Sequence, residues 1–162
     1  MKTINVSDAT KLQINWLVAK CEDICTEVYP KSVRAHLESL GEDDLWNTLC
    51  LCTPGAIDAS VMSESEMIDY GVRNWRMPFY STDPAQAYPI IEREHISINA
   101  WFVDGVFSHW SANGHNLKYD EVGDYVEGSD FAQDGSTQLI AAMRCHVASR
   151  LGAEVEVPDE IA

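Results

Sequence analysis

Five cysteines, five histidines and a run of carboxylates are the groups in this chain with the chemistry for catalysis or metal binding. Cys21 and Cys25 lie four apart and Cys50 and Cys52 two apart, so four thiolates can be imagined around a zinc ion. The Cys50-Leu51-Cys52 spacing argues against it, because it lacks the intervening residues that turn backbone amides toward the sulfurs. Buried free thiols are expected instead, and no metal site. The cysteine count is odd, so a fully paired disulfide framework cannot form within one chain. His36, His95, His109, His115 and His146 are scattered along the sequence. Cys145 and His146 are adjacent, but neighbours on a helix point about 100° apart and do not share a proton easily. A core cysteine beside a surface histidine is the expectation there. With no nucleophile, base and orienting acid to pick out, no catalytic residue, no cofactor and no enzymatic activity are expected.

Two other groups suit binding. Asp120, Glu121, Asp124, Glu127, Asp130 and Asp134 follow one another with no base between them, but not in the ligand order of a calcium loop. Such a run is a solvated loop or, on a sharper reading, a row of carboxylates that imitates nucleic-acid phosphate and occupies a host protein's basic groove. The aromatic set Trp75, Tyr80, Trp101, Phe107 and Trp110 has the composition of a core. If one or two of these rings line a concave edge, they stack a base or a nicotinamide ring. Arg76, Arg93 or Arg144 and the amides before Asp83 would then hold phosphate. The candidate ligand-binding residues are accordingly Tyr80, Ser81, Thr82, Asp83, Trp101, His109, Trp110 and Arg144.

The elements that must position them follow from periodicity and caps. Ser7 and Asp8 suit a helix start, and Leu12, Trp16 and Ala19 recur at spacings of three and four through about Lys20. Residues 23–77 carry short helical candidates at 31–40, 43–50 and 63–70, separated by turn residues, and read as a helical insertion within a single domain spanning 1–162. Ser81, Thr82 and Asp83 before Pro84 are a strong helix start, with a kink or break expected near Tyr88 because Pro89 lies deep in the helix. Asp104-Gly105 between two alternating apolar runs predicts a two-residue hairpin, with Trp101 and Phe107 flanking the turn and Trp110 on the face of Ser108 and Ala112. The acidic stretch allows one short strand at most. Ser136 to Leu151 is the clearest helix, stopped by Gly152 in the left-handed position. Val155 and Val157 make either an edge strand or a frayed end. The fold class expected is α+β, a small antiparallel sheet centred on the hairpin with helices packed on it as an α-β-α sandwich.

Composition narrows the partners. The 162 residues are 46% hydrophobic and 23% charged, enough to bury one core. Eleven Lys and Arg against 26 Asp and Glu give a net charge of −15, the wrong sign for phosphate backbones or anionic lipid. Direct nucleic-acid and membrane binding are therefore not expected. No apolar run approaches a membrane span and the first residues lack a signal-peptide pattern, so a cytoplasmic protein is expected.

Three stretches carry a resemblance. They are Val6 to Glu22, with its Asn15-Trp16-Leu17-Val18-Ala19-Lys20-Cys21-Glu22 run, then Tyr80 to Glu94, and the closing Leu139-Ile140-Ala141-Ala142-Met143-Arg144 with Glu154 to Pro158. Together they resemble the phage NinX-like family, small proteins of lambdoid phages and prophages. The second half is also similar to a broader phage α-β-α sandwich domain, through Ser81-Thr82-Asp83, Trp110-Ser111-Ala112 and the helix after Ser136. The likeness covers residues 1–22 and 78–162, leaving 23–77 without a counterpart. It implies a phage or prophage origin within a bacterial host, an accessory role, an α+β sandwich and no established catalytic residues. The function expected is counter-defence by sequestering a nucleotide-derived immune signal. The alternative is an acidic protein-interaction module that inhibits a host nucleic-acid-binding protein. Partners are thus a small nucleotide-type ligand or a host defence protein, and a homodimer through an exposed sheet edge is expected on general grounds.

Overall fold

In the computed structural model, which describes residues 1–24, 26–28, 51–52, 62–63, 65–66, 78–119 and 125–162, the chain enters as strand β1, Lys2–Asn5. Asn5 then accepts the Ser7 N–H at 3.0 Å and closes a 3₁₀ turn over Val6–Asp8. Ser7 therefore does not cap the first helix; its hydroxyl donates to Asn5 Oδ1 at 2.8 Å. The cap is Thr10, whose Oγ1 accepts the Gln13 N–H at 3.4 Å while Gln13 Oε1 accepts the Thr10 N–H at 2.8 Å. This reciprocal box satisfies two amides at once and starts helix α1, Lys11–Cys21. Leu12, Ile14, Leu17, Val18 and Ala19 are buried, and Trp16 is half-buried with the Lys20 ammonium 5.4 Å from its ring centre.

Within the expected insertion, the described residues include an antiparallel pair of two-residue strands, β2 (Glu27–Val28) and β3 (Leu51–Cys52), which the helical reading did not anticipate. The helical candidates 31–40 and 43–50 lie outside the described residues. At the start of the third, Ser63 N–H and Oγ donate to Glu66 Oε2, and the Glu66 N–H donates back to Ser63 Oγ.

Asp83 caps helix α2, Pro84–Arg93, by accepting the Ala85 N–H at 2.9 Å, with Pro84 in the first turn. Of the kink or break expected near Tyr88, the break does not occur: the helix is continuous through Pro89. Pro89 and Ala85 are both exposed, so the carbonyl that the missing N–H leaves free faces water rather than the core.

The sheet follows. β4 (Ser97–Val103), β5 (Val106–Tyr119) and β6 (Tyr125–Gly135) form an antiparallel sheet in that order. Asp104 and Gly105 join Val103 to its partner Val106 with φ of +51° and +80°, the two positive values that a type I′ hairpin turn requires. β6 is far longer than the one short strand expected, because its backbone pairs with β5 along almost its whole length, from Tyr119↔Tyr125 to Trp110↔Gly135.

Thr137 caps helix α3, Gln138–Leu151, by accepting the Ile140 N–H at 3.2 Å. Gly152 ends it with φ +94° and ψ 176°, positive in φ as expected but extended rather than helical in ψ. α3 lies between the sheet on one side and α1 and α2 on the other. It is consequently buried nearly all round, and Ala141, Ala142 and Ala148 permit the close approach. Strand β7, Glu154–Val157, pairs antiparallel with β1, so the tail is ordered. A final 3₁₀ turn follows, and Gln13 Nε2 holds it by donating to the Ile161 carbonyl at 2.7 Å. The architecture is α+β with helices packed on the sheet. Among the described residues no helix is long and apolar enough to cross a membrane.

Candidate functional site

Alternation along the strands sorts their side chains. Ile98, Ala100, Trp110 and Ala112 face α3, while Ser97, Asn99, Trp101, His109, Ser111, Asn113 and Asp134 share the opposite face. On that face Trp101 is 54% exposed, yet its ring is ordered by stacking on His109, centroids 6.2 Å apart and planes 24° apart. The imidazole is gripped in turn: Nδ1 lies 3.0 Å from Ser108 Oγ and Nε2 lies 3.5 Å from Asp134 Oδ2. Ser108 reaches it because the register shifts between Trp101↔His109 and Phe102↔Phe107, leaving Ser108 as an extra residue on β5. Sequence reading found no serine, histidine and acid together, since Asp134 comes to the ring through the β5–β6 register. Asp134 is 64% exposed on its side chain, where water screens its charge. The array orients the ring, and the result is a preformed aromatic platform rimmed by short hydroxyl and amide side chains.

The other sequence candidates lie elsewhere. Trp110 is half-buried against the core and 5.6 Å from Phe107, on the opposite face from Trp101. Tyr80 and Ser81 are buried in the turn before α2, where Ser81 N–H donates to Asn15 Oδ1 at 2.8 Å. Burial, with the nearby Glu22 carboxylate, raises the Tyr80 phenol. The amides expected to hold phosphate are occupied, because the Thr82 and Asp83 N–H groups donate to the Phe79 carbonyl at 2.8 and 2.7 Å. Thr82 Oγ1 bonds the same carbonyl, and Asp83 caps α2. Arg144 donates to the Asp134 carbonyl at 2.7 Å and the Ala9 carbonyl at 2.8 Å, clamping β6 to the turn before α1. Of the eight candidates, Trp101 and His109 are therefore brought together.

A second polar cluster escaped sequence reading. His146 is fully buried, not on the surface, and its Nε2 lies 3.1 Å from Glu22 Oε1. Arg93 grips the same carboxylate with two donors, at 3.0 and 2.6 Å, and its Nε bonds Glu94, which also receives Arg150 at 2.7 Å. Burial lowers the His146 pKa, so the neutral ring donates from Nε2 and leaves Nδ1 buried with no partner among the described residues. Burial pushes the Glu22 carboxyl up, but Arg93 and His146 outweigh it and hold the group below its ordinary value. Glu94 behaves likewise through Arg93 and Arg150. Glu22 ends α1, Glu94 ends α2, and His146 and Arg150 stand one turn apart on α3, so the cluster ties three helices together. The sequence signal was the His146 to Arg150 spacing of four beside two acidic helix ends.

The thiols near these groups are poor nucleophiles. Burial pushes Cys21 up to about 11, helped by Glu22, and Cys145 likewise to about 11, where its Sγ donates to the Phe131 carbonyl at 3.3 Å. Cys25 lies outside the described residues, as do the side chains of Cys50 and Cys52, and so does the four-thiolate arrangement. Among the described residues no three His, Cys, Asp or Glu side chains gather closely enough to hold a metal ion.

The family described as "Bacteriophage P22, NinX" matches residues 5–150, running through the 23–77 segment that the residue patterns had set apart and stopping before β7. No curated protein matches the chain.

Proposed function

Because the chain belongs to the bacteriophage P22 NinX family, we propose that it is a phage accessory protein that acts by holding a ligand, and that the ligand is a small nucleotide-derived signal of bacterial defence. The observation that carries this reading is the exposed Trp101 stacked on an oriented His109. An aromatic face held in place at no further ordering cost is what a nucleobase needs for stacking, worth about 1–3 kcal/mol per base. Ser97, Asn99, Ser111 and Asn113 on the same face offer the donors and acceptors that distinguish base edges and sugar hydroxyls. With Arg144 committed to backbone carbonyls, recognition falls on the base and sugar, and the net charge of −15 turns long polynucleotides away. Sequestration of this kind takes place in the host cytoplasm, where such signals act.

Thermal unfolding with a panel of cyclic and ADP-ribose-type nucleotides tests the proposal. A true ligand at 100 times its dissociation constant adds about 2.7 kcal/mol of stability. Trp101→Ala should remove that gain while changing unliganded stability by less than about 1 kcal/mol, since the ring is mostly in solvent. No stabilisation by any member of the panel refutes the reading.

The charge of −15 favours a second reading, an acidic module that blocks a host nucleic-acid-binding protein. Capture of such a partner should weaken as salt rises, because screening acts on a charge-led complex far more than on stacking.

A further inference from the structure

The sheet face that bears Trp101 is one-sided in charge. Among its described strand side chains there is no lysine or arginine, and the carboxylate it carries is that of Asp134, well exposed to water. Ser97, Asn99, Ser111 and Asn113 are neutral, and Arg144 is turned to the Asp134 and Ala9 carbonyls. His109 links the carboxylate to the indole. It stacks on Trp101 with ring centres 6.2 Å apart and directs Nε2 at Asp134 Oδ2, 3.5 Å away. Its Nδ1 is 3.0 Å from Ser108 Oγ, so both ring nitrogens are directed at the protein's own side chains. With this platform as the ligand site proposed above, on which the step rests, we infer that the ring it takes is a cationic nitrogen heteroaromatic. A pyridinium or a ring-alkylated base has that character.

Three sources of negative potential meet at Trp101. The flat face of an indole carries the negative lobe of the ring quadrupole and attracts a cation better than phenol or benzene rings do. Trp101 stays more than half exposed despite its contact with His109, so ring surface is open to a ligand. Asp134 lies one imidazole beyond the indole, a separation comparable with the Debye length of about 8–10 Å, and its charge is therefore screened only in part. The net charge of −15 adds a field of the same sign around the whole molecule. The same pattern works against a phosphate, which meets no cation among the described strand side chains of this face. A nucleotide thus binds ring-first, with its phosphates directed off the sheet.

The probes are ring-N-methylated nicotinamide, a cation, and meta-toluamide, its neutral isostere with carbon in place of the charged nitrogen. Nuclear magnetic resonance titration of the full chain, read at the Trp101 indole N–H that a Trp101→Phe variant identifies, gives both dissociation constants. The cation should bind at least about fivefold tighter. Added salt should shrink that preference. Asp134→Asn keeps an oxygen facing His109 Nε2 and removes the charge, and should cut the preference at least about twofold. Glu156→Gln removes the same charge from an exposed position on β7, outside this sheet, and should leave it unchanged. Equal affinity for the two probes overturns the proposal and leaves the stacking platform standing. So does a preference that Asp134→Asn leaves intact, or that Glu156→Gln lowers as much. A Trp101 signal that neither probe moves at millimolar concentration removes the platform reading and this one with it.

Discussion

Gly135 sits where β6 meets the first turn of α3, and replacing it with alanine should be among the most damaging single-atom changes in the chain. A Cβ there would stand 2.4 Å from the Ala141 amide nitrogen, 2.9 Å from Ile140 Cγ2 and 3.0 Å from Ala141 Cα. Non-bonded heavy atoms prefer about 3.5–4.0 Å, so strand and helix must part by roughly 1 Å. The Ile140 methyl can swing aside, but two of the three obstacles are Ala141 backbone, and the Thr137 cap one turn earlier resists the shift. Overpacking of this kind costs about 1–3 kcal/mol, which in a chain of this size is a fall of roughly 2–12 °C in Tm. Gly105→Ala is the control. No atom lies within 4 Å of its added carbon, so the cost there is the φ of +80° alone, about 1 kcal/mol. Urea unfolding followed by far-ultraviolet circular dichroism gives both values. If Gly135→Ala is within about 0.5 kcal/mol of the parent, or less harmful than Gly105→Ala, the packing of α3 on β6 is not as described.

Three further outcomes follow from the buried polar groups. His146 has a folded pKa below its ordinary 6.5, so the stability it confers is complete above that pH and is lost as pH falls through the folded value; Glu22 and Glu94, held below 4.5, extend the loss to lower pH. Urea midpoints measured from pH 8 to pH 4 should therefore decline below about pH 6.5, and His146→Gln should flatten the upper part of that decline; a flat parent profile down to pH 5 would count against a buried neutral imidazole. Arg144→Met removes the donors to two carbonyls, one of them on buried Ala9, and should cost about 1–3 kcal/mol in the same unfolding assay, whereas no loss would mean those carbonyls find other partners. Cys21 and Cys145, with thiols near 11, should react with iodoacetamide at pH 7.5 roughly 100-fold or more slowly than a free cysteine, a difference that peptide mass mapping of the labelled native protein detects.

The sequence revealed those features that backbone geometry alone dictates. Asp-Gly between alternating apolar runs needs two positive φ values, and Asp104 and Gly105 supply them. Asp83-Pro84 carries its own cap and a residue that sacrifices no bond in the first turn, and α2 begins there. The length of β6 was hidden because the carboxylates and glycines spread through Tyr125–Gly135 carry little strand propensity of their own; a ladder with β5, remote from any local pattern, holds them extended. Ser7 looked like a cap, yet a capping box needs its glutamine or glutamate three residues on, and it was Thr10 that had Gln13.

Long-range chemistry was the least legible part. His146 meets Glu22 across 124 residues and Glu22 meets Arg93 across 71, so nothing in the neighbourhood of His146 announced that it would be buried. The platform was half visible: Trp101 and His109 were both named, but the bulge that brings Ser108 to the ring and the register that delivers Asp134 depend on the assembled sheet. The amides before Asp83 and the Arg144 guanidinium have the chemistry of an anion site, and folding commits them to a turn and a clamp instead.

On the function proposed above, the protein holds its ligand and leaves it unaltered. The direct measurement is to load the pure protein with the nucleotide that stabilises it most, remove the excess, denature the complex and identify the released molecule by mass spectrometry. The account predicts recovery of the same nucleotide, unchanged, in proportion to the protein and absent from the Trp101→Ala variant. Release of a converted product, or equal loading of the variant, contradicts it.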